Sequence, residues 1–505
     1  MPVHAFDWLN KQSELRADQL ALVDAASGRE STYAQVNERA SRCAEYLRDR
    51  TGIRVGDRIA ILAHNSSDYI EILYACAKLG AILVPLNWRL APAELDFVLA
   101  DCRPKMLIYD PPFRETVDRL RQKPDGPAIT LGTGDDGGVT YEQALADSSG
   151  EILLMPERDP GETWSVLYTS GTTGRPKGVL QTFDMALFNM LNIGLPIELG
   201  SSDTTLNVLP FFHTGGLNLY LNPTLIVGGT AIVQRSFEPE ETLRLLAQRT
   251  TVFFGVPAVY LFLSQHPGFD DADLTGVRSW ACGGAPMPVS LLERYAGRGI
   301  RIRQGFGMTE TGPTVFLIDE ASALAKAGSV GKPQLFVDVR IKDAQGRDVA
   351  DGEPGELLVR GPAVTPGYWE LPAVTAEALE KGWLHTGDVA RRDEDGYYYI
   401  VDRLKDMYIS GGENVYPAEI EHVLHTHPAV LEAAVIGVPD ERWGEVGKAV
   451  VVLNAAGDVS EPVLLELCRR ELAGFKVPKS IVFVAALPRN AAGKVSKAEL
   501  QEKAR

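Results

Sequence analysis

The chain runs to 505 residues, 45% apolar and 23% charged. That is enough for two to four structural units around a large core, and it excludes both a minimal scaffold and a disordered chain. With 50 Lys plus Arg against 67 Asp plus Glu the net charge is −17, which repels phosphate backbones and anionic lipid and excludes nucleic acid as the main partner, although a local basic cleft for a small anion stays open.

From the N-terminus, MPVHAFDWLNKQSELRADQ carries charges where a signal peptide needs an apolar stretch, and the C-terminal ELQEKAR matches no address signal. Cys43, Cys76, Cys102, Cys282 and Cys468 are few and lack CxxC or CxxH spacing, as expected of free thiols in a reducing compartment rather than a zinc ribbon or disulfide scaffold. The expected location is cytoplasmic.

Strand and helix patterns alternate through the first three hundred residues. RIAIL (58–62), a helix over 67–79, AILVP, a helix over 92–100 and KMLIY form one series. TLNVLP, TAIVQ, a helix over 239–249, TVFFGVP, SWACGG, a helix over 287–295 and IRIRQGFG form a second. This alternation predicts an α/β protein with two parallel-sheet halves covered on both faces, with ligands beyond the carboxyl ends of the strands. Thr204 to Gln234 contains no Asp, Glu, Lys or Arg, long enough to cross a bilayer, but Pro210, Pro223, Asn207, Asn218, Asn222, His213 and two Gly-Gly pairs interrupt it, so it reads as buried strand, turn and helix. Beyond Lys332 the strands VDVRIKD, GELLVRG and GYYYIVD alternate with Gly and Pro turns, predicting a β-barrel-like antiparallel unit. The last hundred residues read as α+β, set off by the charged, unpatterned VDRLKD. The expected domains are 1–402 and a small mobile 403–505.

VLYTSGTTGRPKG, 166–178, is the most informative segment. A short apolar strand enters a loop with glycines, hydroxyls and one lysine, the groups that enclose a polyphosphate. It is not a Walker A loop, because Pro176 precedes Lys177 and Gly178 follows it. The histidines of EHVLHTHP (His422, His425, His427) fit one exposed helix end better than a metal site.

TSGTTGRPKG resembles the phosphate-binding signature of the acyl-adenylate-forming superfamily, which includes acyl-CoA synthetases, adenylation domains and firefly-type luciferases. PFFHTGG (210–216), GGAP (283–286), FGMTE (306–310), HTGD (385–388), DRLKD (402–406), SGGENVYPAEIE (410–421) and PRNAAGK (488–494) follow in the family's order over nearly the whole chain. The chemistry such a site performs needs phosphate donors, a metal ligand, a ribose anchor and a cation for the charge that develops during transfer. The resemblance implies that Thr169, Ser170, Gly171, Thr172, Thr173, Gly174 and Lys177 hold the ATP phosphates. It makes Glu310 the Mg²⁺ ligand and sets Thr309 on the α-phosphate. Phe306 stands where the family usually has Tyr and, with Gly307, packs on adenine; Gly283, Gly284 and Ala285 pass beside the base. Asp388 accepts from the ribose hydroxyls with Arg403 assisting, and Lys494 is the mobile cation of adenylation. By the same resemblance Lys405 is the hinge, and rotation about it brings Ser410, Gly411, Gly412 and Glu413 to the cleft for CoA. His213 lies at the mouth of the acyl pocket, with a satisfied core histidine as its rival reading.

The resemblance implies ATP, Mg²⁺ and CoA as cofactors, a small carboxylic acid as substrate, no integral membrane segment, and is compatible with a homodimer. An α-amino acid is disfavoured because PFFHTGG lacks an aspartate to pair the ammonium. The expected acyl wall is Leu217, Leu219, Tyr220, Val256, Val259, Tyr260, Cys282 and Phe316, apolar and free of arginine, which suits a fatty or aryl acid and disfavours a dicarboxylate. The overall likeness leans to bacterial fatty-acid CoA ligases; the alternatives are an aryl-acid (benzoate or cinnamate type) CoA ligase, a ligase loading a carrier protein, a luciferase-like oxygenase, and a non-catalytic binding module that would have lost Lys494, Glu310 or Lys177.

Overall fold

The computed structural model describes residues 4–122, 129–134, 139–169, 176–410, 413–440, 442–454, 457–490 and 494–504. Two α/β sheets make up most of the chain. The first runs in the order Ile129–Gly132, Met106–Tyr109, Arg58–Leu62, Ile82–Pro85, Thr163–Thr169, Lys177–Thr182. Its first five strands are parallel and the last returns antiparallel, with Thr169 opposite Lys177. The second has nine strands, with a parallel centre from Ile302–Phe306 through Ser279–Cys282, Val252–Gly255, Thr204–Asn207 and Thr230–Val233 to Leu20–Asp24.

The expected two halves are present, with one difference. LALVD, 20–24, joins the second sheet beside Thr230–Val233, pairing Leu22 with Ala231, although it precedes every strand of the first. The helix Ser67–Leu79 shows why the sheets pack as they do. The Ser66 side chain accepts from Tyr69 N–H at its start, and Gly80 ends it with φ 68°. Between those signals every residue from Ser67 to Leu79 except the half-buried Asp68 is buried, so this is a helix sandwiched within the core rather than laid on a surface. The charge-free stretch folds as read: strand Thr204–Asn207, a π-turn Gly215–Leu219, helix Leu221–Val227 and strand Thr230–Val233. No helix among the described residues is long and apolar enough to cross a membrane.

Asp338–Lys342, Gly355–Arg360, Leu379–Glu380, Trp383–Arg392 and Tyr398–Arg403 form a five-stranded antiparallel sheet where the barrel-like unit was expected. The first half of VDRLKD is therefore strand rather than irregular linker, as Asp388 pairs with Arg403 and Val389 with Asp402. A last sheet is built on the hairpin Val430–Asp440 and Gly444–Leu453, flanked by Tyr408–Ser410 and Ser480–Phe483 and backed by helices Pro417–His425 and Glu461–Glu471. It has its own core around Tyr408, Ile420, Leu424, Val435 and Val451. His422 and His425 lie on the helix Pro417–His425, and no group of three His, Cys, Asp or Glu among the described residues is placed to hold a metal.

Candidate active site

Chain folding brings the distant motifs to one cleft. Ser170, Gly171, Thr172, Thr173 and Gly174 lie outside the described residues, as do Gly411, Gly412 and the side chain of Glu413. The ends of the phosphate loop are fixed by the Thr169–Lys177 register. Lys177 Nζ stands 5.4 Å from the ring centre of Tyr368, and the Tyr368 hydroxyl donates to Glu310 Oε1 at 3.1 Å. One aromatic residue thus holds the phosphate-loop lysine and the metal-ligand candidate in fixed relation. Sequence reasoning missed it, because nothing in GPAVTPGYWE signals a partner 58 residues away.

Glu310 is the central residue of a one-turn 3-10 segment, Thr309–Thr311, two residues after the strand Ile302–Phe306. Burial pushes its carboxyl above the usual range, opposed by its hydrogen bonds to backbone and Tyr368 and by the charge of Arg403. A single buried carboxylate is the donor set by which Mg²⁺ is held when nucleotide phosphates supply the remaining ligands. Gly307 is required by space: a Cβ there would lie 1.5 Å from the carbonyl oxygen of Pro313. Phe306 packs against Phe316 at 6.1 Å and is half-buried. Just after the neighbouring strand Ser279–Cys282, Gly284 (φ 81°) and Ala285 are exposed, and a Cβ on Gly283 would meet the Gly305 carbonyl at 3.2 Å and the Phe254 ring at 3.3 Å.

Asp388 is 2% exposed. Its Oδ1 pairs with Arg403 Nε at 3.1 Å, while Oδ2 is buried without a partner. A buried carboxylate oxygen left open costs stability and is poised to accept a hydroxyl donor, which fits a ribose. Burial raises its carboxyl's pKa, countered by Arg403 and then Lys494.

Lys494 is exposed as a residue, yet its ammonium is desolvated enough that this first and Arg403 second lower its pKa, with Asp388 and Glu310 pulling the other way. This tail lysine therefore sits among the nucleotide-motif residues. It also bears on His213, whose imidazole is pushed down to about 4 by burial and then by Lys494. His213 Nδ1 accepts from Gly215 N–H at 3.1 Å. The ring is thus neutral at physiological pH and carries its proton on Nε2, a donor at the acid-side turn. Lys405 is exposed, and Ser410 is buried in the last sheet opposite Gly444 and Glu413.

The expected acyl wall needs correction. Leu217, Tyr260 and Cys282 are 0% exposed. The Tyr260 hydroxyl donates to Ala281 O, and its ring packs on Phe253, Trp280 and Tyr295. These are core residues, and Phe316 belongs to the core under the antiparallel sheet. What lies beside Gly283 is Phe254, its ring tilted against that of Tyr220 at 5.6 Å, while Val256 lies 3.6 Å from where a Gly284 Cβ would be.

Residues 9–369 match the AMP-binding enzyme family and residues 419–494 the AMP-binding enzyme C-terminal domain. A feruloyl-CoA synthase of Amycolatopsis sp. is 45% identical, with 94% of each chain covered. A long-chain-fatty-acid–CoA ligase of Mycobacterium tuberculosis, FadD13, is 38% identical over 98% of this chain and 97% of the other. MatB of Rhodopseudomonas palustris, 33% identical with 99% of each chain covered, superposes with a TM-score of 0.91 in its ATP-bound structure and 0.81 in its apo structure. The chain belongs to the AMP-binding enzyme family, the acyl-adenylate-forming superfamily.

Proposed function

We propose that this protein is an AMP-forming acid–CoA ligase that activates an aromatic carboxylic acid of hydroxycinnamate type. The observation that carries the adenylation chemistry is the convergence of Lys494, Asp388, Arg403 and Glu310 on one cleft, from parts of the chain up to 184 residues apart. In the first step the acid's carboxylate oxygen attacks the α-phosphorus of ATP, the α–β bridging bond breaks, and pyrophosphate leaves. Lys177 and Thr169 hold the leaving phosphates, and Asp388 Oδ2 takes the ribose hydroxyls. Lys494 stands between carboxylate and α-phosphate, offsetting the charge that develops there. His213 presents Nε2–H to the acid. Mg²⁺ on Glu310 supplies charge neutralisation of the phosphates when bound. In the second step the CoA thiolate attacks the acyl carbon, AMP leaves, and a thioester remains.

The two steps need different groups at one acyl carbon, which supports a hinge at Lys405 between 1–402 and 403–505. The orientation described here has Lys494 in the cleft and therefore suits adenylation, in keeping with the better superposition on ATP-bound than on apo MatB. Rotation would carry Lys494 out and bring the Ser410–Glu413 turn in, with Gly411 and Gly412 offering bare backbone to a pantetheine arm.

For the acid, the partly buried Phe254 beneath Gly283, backed by the buried Tyr220, gives a short aromatic floor suited to a planar ring, and the 45% identical feruloyl-CoA synthase points the same way. A fatty acid is the second reading, favoured by the likeness to FadD13. Pyrophosphate release is measured with ferulate, cinnamate, benzoate, octanoate, laurate and palmitate, with and without CoA. Ferulate or cinnamate giving the highest kcat/KM supports the proposal; a preference for laurate or palmitate overturns its aromatic part.

A further inference from the structure

A buried chain of amides joins the acid side of the cleft to the metal-ligand turn. Gln181, on the strand Lys177–Thr182, donates from Nε2 to the carbonyl oxygen of Thr309 at 3.0 Å. A carbonyl only accepts, so the amide's orientation is fixed and Oε1 faces the other way. There it accepts from Asn218 Nδ2 at 3.4 Å, whose second hydrogen goes to Thr214 Oγ1 at 3.3 Å. Asn218 lies in the π-turn Gly215–Leu219 that follows His213, and its own Oδ1 accepts from Asn222 at 3.0 Å. Such wide turns interrupt helices mostly where function demands it.

Stability does not account for this chain. Gln181 is 4% exposed and Asn222 1%, and the nearby Asn189 Oδ1 and Asn222 Oδ1 are buried without partners. Amide oxygens left open in a packed interior are a cost that packing alone does not explain. What the chain does achieve is a directional link of four groups, Asn222 to Asn218 to Gln181 to Thr309, ending one residue before Glu310.

We propose that Gln181 and Asn218 are positioning residues that make the placement of Thr309 and Glu310 depend on the acid-side turn, so that acid and MgATP favour each other's binding. This rests on the acid–CoA ligase reading. Acid settling against His213 would order the π-turn, fix the Asn218 amide and, through Gln181, hold the Thr309 carbonyl where Glu310 meets the metal-bound phosphates. Thioester formation from a finished adenylate needs no such coupling.

The test is a matrix of initial rates of pyrophosphate release against ATP and ferulate, or laurate where the wild type prefers it. Saturating acid is expected to lower the KM for ATP by about 5-fold or more in the wild type, the low end of ordinary coupling between sites. In Gln181→Met and Asn218→Leu that factor is expected to fall to about 1, and the double variant to be no worse than the poorer single, because both break one link. Thioester formation from preformed acyl-AMP is expected to stay within about 2-fold of wild type, since only the first step uses the link. Melting temperature is recorded for each variant; one that does not fold is replaced by Gln181→Asn, which withdraws the amide from Asn218 but keeps its chemistry. A wild type without the ATP–acid effect, variants that retain it, or equal losses in both half-reactions overturn the proposal. Absence of pyrophosphate release from the wild type with every acid instead overturns the ligase reading beneath it.

Discussion

Replacing Lys494 with alanine separates the two half-reactions. The lysine bears electrostatically on Asp388, Glu310 and His213 at once, and the proposed role sets its ammonium at ion-pair distance, about 4 Å, from the transferring phosphate and carboxylate. At an effective dielectric near 20, appropriate to a crowded but water-lined cleft, one unit charge at about 4 Å is worth about 4 kcal/mol. That corresponds to about 10³-fold in the rate of adenylate formation. Steady-state pyrophosphate release measures this step, and single-turnover conversion of preformed acyl-AMP with CoA measures the other. The second is expected to stay within about 3-fold, because the proposed rotation about Lys405 would take Lys494 out of the cleft. A loss below about 10-fold in adenylation, or the same loss in both steps, would refute the role derived for this cation.

Asp388→Ala removes the acceptor that Oδ2 offers to the ribose and should raise the KM for ATP by about 10- to 100-fold, the value of a charge-assisted hydrogen bond. Wild type should discriminate against 2′- and 3′-deoxy-ATP and the variant should not; equal discrimination in both removes Asp388 from the ribose. Gly307→Ala forces a methyl against the Pro313 carbonyl and should cost about 3 kcal/mol, read as a lowered melting temperature together with lost ATP binding; a fully stable, active variant contradicts the packing described. Because Lys494 has a lowered pKa, the rate of adenylation should fall as pH rises through a value below the ordinary lysine range. Lys494→Arg, which stays charged, should abolish that limb even where it lowers the maximum. On the acid side, Glu310 and Asp388 have raised values, so activity should fall with decreasing pH sooner than unperturbed carboxylates would allow.

How much of this was legible beforehand depended on whether the signal was local. The helix Ser67–Leu79 carried its own cap and stop, and the strands around GGAP and FGMTE were marked by apolar runs ending in glycine, so elements and nucleotide motifs were readable from neighbours in sequence. LALVD was not assignable to its sheet, because pairing Leu22 with Ala231 is a matter of topology. Apolarity marks core and pocket alike, so only the complete burial of Leu217, Tyr260 and Cys282 separates them from a pocket wall. Tyr368 and Gln181 escaped notice for a third reason. Their importance lies in single hydrogen bonds to Glu310 and the Thr309 carbonyl, and no spacing rule relates residues that far apart.

On the proposed mechanism the carboxylic acid is carried as a mixed anhydride with AMP before it meets the thiol. Mass spectrometry of a reaction containing enzyme, ATP, Mg²⁺ and ferulate or laurate, first without CoA and then with it, tests this most directly. The account predicts acyl-AMP and pyrophosphate in the first tube, and acyl-CoA with AMP in the second. Formation of ADP and orthophosphate, or of acyl-CoA with no nucleotide-linked acyl species under any condition, would contradict it.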